Sequence, residues 1–124
     1  MVEGLGWLNL ALVFLMILIY PIKRLYLDKR KPKLLKLYKA ARYYHPLLGF
    51  IIVLIGLTHG YLAIGSIRLH TGTLVVLTVI LMGCITVLGR RKLLFQRNWR
   101  KIHVYLVPLL FIFIFVHIFF RNII

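Results

Sequence analysis

A chain of 124 residues that is 62% hydrophobic, with two acids against 17 Lys and Arg and a net charge of +15, does not read as a water-soluble domain. The positive charge lies between apolar runs and not on a polar surface, which excludes nucleic acid as the partner and points to a lipid bilayer. A unit of this length holds no separate flavin, nicotinamide or iron–sulfur domain, and the single Cys84, inside an apolar run, offers no disulfide and no CxxC or CxxCH motif.

The first apolar stretch covers residues 5–22, close to the roughly 20 residues that cross a hydrocarbon core of about 30 Å. Its text, MVEGLGWLNLALVFLMILIYPIKR, has no basic leader and no small-residue cleavage site, and positive charge follows it, so it reads as a retained span and not a signal peptide. Residues 23–42 then carry nine Lys or Arg. Within them Pro32 opens KLLKLYKAARYY, with Leu34, Leu37, Tyr38 and Ala41 at helical spacing, the pattern of a helix lying on the inner interface. A flank that only sets topology and a partner-docking element are both open readings of it.

The second span covers 45–64. Pro46 directly after His45 biases that histidine away from helical geometry and predicts that His45 caps the span from outside it. The third span, 69–88, is opened by His70, and residues 90–101 supply six more Lys or Arg. The fourth span, 102–120, contains Pro108, which predicts a bend. Such short apolar spans satisfy their backbones in lipid only as helices, so the expected fold is an all-α integral membrane four-helix bundle. The positive charges divide 15 to 2, Arg68 and Arg121 being the two. The positive-inside rule then places both termini outside the cytoplasm, with the second and fourth spans parallel.

Two histidines fall on the second span, His45 and His59, and two on the fourth, His103 and His117, each pair 14 residues apart. Fourteen helical steps leave two side chains about 40° apart in azimuth and about 21 Å apart along the axis. Parallel spans therefore bring His45 level with His103 at the inner side and His59 level with His117 at the outer side. A neutral imidazole on each side of a ring-bound iron completes six-coordination and favours electron transfer over oxygen chemistry. Gly49 and Gly56 clear the stripe between His45 and His59 for a flat macrocycle, and Gly72 and Gly83 on the third span, about 20° apart, stand near the two levels. Arg42 and Arg100 at the inner level, and Arg68 and Arg121 at the outer, suit haem propionates as well as plain interfacial anchoring. His70 is read as a propionate or interface residue, with ligation as its alternative.

The pattern resembles the dihaem core of two families, cytochrome b of the bc complexes and the membrane domain of ferric reductases and NADPH oxidases. The segments that carry the resemblance are HPLLGFIIVLIGLTHG, from His45 to Gly60, and WRKIHVYLVPLLFIFIFVHIF, from Trp99 to Phe119. It covers about the last 85 residues, without the flavin and nicotinamide module of the oxidases or the further helices and quinol-site motif of the bc cytochromes.

The expectation is a subunit that binds two haem b and transfers electrons across the cell membrane, as part of an oxidoreductase complex rather than as a complete enzyme. A soluble or membrane redox protein with flavin or iron–sulfur centres stands at one face, and a quinone or other acceptor at the other. Lipid surrounds it, and an oligomer or larger complex is expected. With only Glu3 and Asp28 as acids, no carboxylate relay for proton pumping exists. The rival from another class is a haem-free structural subunit of a transporter or enzyme. A histidine-lined ion path is disfavoured because pairs about 21 Å apart share no single ion.

Overall fold

The computed structural model of the protein describes residues 2–65, 70–91 and 97–120. Its elements are all helical: α1 (Val2–Ile17), α2 (Ile19–Lys29), α3 (Pro32–Ile64), α4 (Thr71–Arg90) and α5 (Trp99–Phe119). Four stretches are long and apolar enough to cross a membrane, α1 and α2 together making the first and α3, α4 and α5 the others. The chain divides into two compact units, Met1–Ile55 and Gly56–Ile124, and α3 runs from one into the other.

In the first unit the break between α1 and α2 falls at Leu18. Pro21 explains it, because this residue brings no N–H to the Ile17 carbonyl and its ring crowds that carbonyl. The flanking bonds persist, from Leu18 N–H to Phe14 and from Ile22 N–H to Leu18. α2 ends at Arg30, which takes the left-handed region at φ 46° and donates its N–H to the Tyr26 carbonyl. Pro32 opens α3 at the first helical position, where its missing N–H costs nothing.

The chain turns back on itself here. The Tyr26 and Tyr38 rings stack at 6.4 Å with 8° between their planes, whereas twelve residues in line would separate them by about 18 Å. A Cβ added to Gly49 would meet the tip of Met16 at 3.7 Å. Both pairs sum to 64 or 65, which defines an antiparallel register of α1 and α2 against α3. Val13 and Ile52, the two buried hydrophobic residues of this unit, obey the same sum.

α3 differs from the expectation at two points. It passes through His45 and Pro46 without interruption, so His45 lies inside the helix and not at its cap. The cost of Pro46 is one backbone bond, to the Arg42 carbonyl, and the turns on either side outweigh the local bias of one residue. KLLKLYKAARYY is accordingly the first part of the spanning helix, not a separate helix.

In the second unit α4 packs against α5. Thr71 touches His117, Thr86 touches His103, and a Cβ on Gly89 would overlap the Trp99 side chain. Those sums, 188 and 189, fix an antiparallel register over the whole length of both helices. The buried residues Thr78, Met82, Ile85, Leu110 and Ile114 fill the seam. The helix continues through Pro108, which is exposed.

Candidate functional site

The second unit gathers three of the five histidines around one hydroxyl. Thr71, only 1% exposed, is the first residue of α4, and its Oγ1 lies 2.9 Å from His117 Nδ1 and 3.2 Å from His70 Nδ1. The His117 ring stands 6.3 Å from the His59 ring and 6.1 Å from the His70 ring, nearly perpendicular to each. Gly72 makes room for it, since a Cβ there would come within 3.0 Å of His117 Cε1. His59, near the C-terminal end of α3, and His117, near that of α5, are thus brought together. His70 joins them from the N-cap of α4, where its extended backbone (φ −140°, ψ 160°) lets its carbonyl accept the first helical bond, from Thr73.

His103 is held differently. Its Nδ1 lies 3.1 Å from the Met82 carbonyl oxygen and 3.1 Å from Thr86 Oγ1. A carbonyl only accepts, so the Nδ1 proton is on the ring and is shared between both oxygens. Thr86 in turn donates its hydroxyl proton to Met82, at 2.9 Å, leaving its oxygen to accept from His103. This fixes the tautomer of His103: Nδ1 carries the hydrogen and Nε2 carries the lone pair that a metal uses. At His117 the single Thr71 proton cannot serve both neighbours. With it directed to His70, His117 Nδ1–H donates to Thr71 and the same tautomer results.

The His59–His117 pair has the spacing that two imidazoles sharing one metal ion would have. Two imidazole nitrogens at about 2.0–2.1 Å from one metal ion, with each ring centre about 1.1 Å further out, put the centres about 6.3 Å apart. The His59–His117 separation meets that value. His70 lies as near to His117, at 6.1 Å, and meets the same Thr71 hydroxyl through its Nδ1. His45 belongs to the first unit and His103 to the second. No group of three or more His, Cys, Asp or Glu forms a metal-binding cluster among the described residues, a motif that two-histidine axial ligation does not require.

The remaining expected residues are distributed as follows. Gly56 is buried, Gly49 faces Met16, and Gly83 is exposed with open space where a Cβ would stand. Arg42 and Arg100 are exposed, the Arg100 guanidinium lying 5.3 Å over the Trp99 ring. Arg68 and Arg121 lie outside the described residues. Sequence reasoning missed Thr71, Thr86 and the Met82 carbonyl. Their signal was present: Thr71 and Thr86 are 15 apart, one residue from the 14 that separates the histidines they meet. It also missed Asn9 on α1, whose Oδ1 is buried without a hydrogen-bond partner among the described residues.

No protein-family model, curated protein or solved structure matches the chain.

Proposed function

We propose that the chain is a dihaem b-type membrane cytochrome subunit, passing electrons across the bilayer between a redox partner protein and a quinone or other acceptor. His45 and His103 ligate the inner haem, and His59 and His117 the outer. The observation that carries the reading is the arrangement of the fourth-span histidines. Each presents Nδ1 to a hydroxyl of α4, Thr86 or Thr71, the kind of support that orients an imidazole which binds a metal through Nε2.

When bound, such a group supplies one-electron transfer without an open coordination site. The chain's own residues hold the rings in place. Met82 and Thr86 fix the proton on His103 Nδ1, Thr71 orients His117, and Gly72 admits the outer imidazole. Buried Ile85, Leu110 and Ile114 keep the α4–α5 seam dry, which raises the worth of each polar contact. The charge split of 15 to 2 places both termini outside the cytoplasm and residues 23–42 and 90–101 inside, in the cell membrane. The partner is a flavin or iron–sulfur protein, and the subunit works in an oligomer or larger complex.

A haem-free structural subunit is the second reading, favoured by one observation: the Thr71–His117 and Thr86–His103 contacts join α4 to α5 by themselves. Interhelical bonds of this kind contribute about 0.6 kcal/mol on average in a bilayer. Ligand variants separate the readings. His45→Ala and His103→Ala should each abolish the same inner low-spin haem signal, and His59→Ala and His117→Ala the outer one, while His70→Ala leaves both. Loss of one low-spin signal in His70→Ala, with the signal kept in His59→Ala or in His117→Ala, would reassign the outer ligands. Absence of any haem signal in the unsubstituted protein would leave the structural reading standing.

A further inference from the structure

The antiparallel register of the first unit sets the depth of its charges. Tyr20 and Tyr44 sum to 64, so they share a level, and with Tyr43 they are exposed. Exposed tyrosines at one level mark the interface of a membrane, where an apolar ring with a polar tip is favoured. From Tyr20 the chain runs about ten residues to the Arg30 turn, and from Lys31 about twelve residues back to Tyr43, rises of about 15 and 18 Å. The headgroup zone on one side is only about 5–8 Å deep. The end of the hairpin therefore stands about 10 Å beyond the headgroups if the helices keep the direction of the span.

That end is basic and solvent-facing. Lys29, Arg30, Lys31, Lys33 and Lys36 are all exposed, with Asp28 the single acid among them. The stacked Tyr26 and Tyr38 rings join the two helices behind the tip and give it a fixed base. These charges also lie in the flank that sets topology. Held above the headgroups on a hairpin, they are presented to the aqueous side, within reach of a partner protein's acidic surface.

We propose that the Lys29–Lys36 end of this hairpin is the docking surface for the acidic face of a soluble electron-carrier protein. The occupant's redox role rests on the cytochrome reading, whereas its acidic surface follows from charge complementarity alone. Lys29, Lys31, Lys33 and Lys36 are the contact residues, and the two helices hold them ahead of encounter.

The test uses the full chain in phosphatidylcholine nanodiscs, with a fluorescently labelled flavodoxin, an acidic single-electron carrier, as the probe. Binding is expected at low ionic strength and should weaken steeply with salt. Combined Lys29→Gln, Lys31→Gln, Lys33→Gln and Lys36→Gln should weaken it by about tenfold or more, four exposed pairs each contributing a fraction of a kcal/mol. Removing an equal charge through Arg90→Gln, Arg91→Gln, Arg97→Gln and Lys101→Gln should weaken it less. Circular dichroism of both variants checks that the helices are retained, and the haem absorbance of the same samples reports separately on the cytochrome reading. Equal loss in the two variants, absence of binding in phosphatidylcholine discs, or lysines that bind only phosphatidylglycerol added to the discs would each overturn the proposal.

Discussion

Thr86 and Thr71 are the residues through which the third span acts on the fourth. Thr86→Val keeps the volume and removes the hydroxyl that shares the His103 proton, leaving the Met82 carbonyl as sole acceptor. A weaker acceptor makes the imidazole a poorer donor to iron, so the inner haem potential should rise, with Thr86→Ser restoring it and the outer potential unchanged. Potentiometric titration of the two low-spin bands measures this. Gly72→Ala works on the other level: its methyl would press on His117 Cε1 from 3.0 Å, so the ring must shift, and the outer band should broaden or move while the inner one stays. The histidines were legible from their spacing because fourteen steps return a helix nearly to the same azimuth. The threonines were not. In an apolar span a threonine has many roles, including back-bonding to its own helix as Thr78 does to Leu74 at 2.7 Å. Only the antiparallel register of α4 and α5 tells which hydroxyl meets which ring.

Among the elements, α4 and α5 depend on close approach at the end where Gly89 faces Trp99. A Cβ at that glycine overlaps the indole side chain, so Gly89→Ala should destabilise the pair by about 1–3 kcal/mol, read as a lower thermal midpoint in detergent, with Gly83→Ala nearly neutral because its Cβ meets open space. The apolar spans were readable from length and hydropathy since lipid leaves the backbone no alternative to internal hydrogen bonding. Their ends were less so. The propensity of the residue before Pro46 argued for a helix start at His45, but α3 begins thirteen residues earlier, at Pro32. Continuity costs one hydrogen bond and keeps every other turn. Pro21 does open a break at Leu18, so the same residue type ends a helix at one site and is absorbed at another. No single-residue rule separates those cases, because the difference lies in what the neighbouring turns gain by continuing.

The whole molecule is a set of apolar helices whose large exposed side chains, among them Phe50, Tyr105 and Phe115, face lipid rather than water. The proposed orientation rests on charge: a reporter active only outside the cytoplasm, fused after Ile124, should be active and a cytoplasm-active one silent. The reverse result would exchange the inner and outer haems without altering their ligands. The central claim, two haems per chain, is tested most directly by a reduced-minus-oxidised spectrum of the purified full-length protein with a pyridine haemochrome assay of haem per polypeptide. The account predicts a red protein with low-spin b-type bands and two haems per chain. A monodisperse preparation that is colourless, and stays so after haem is added, would contradict it.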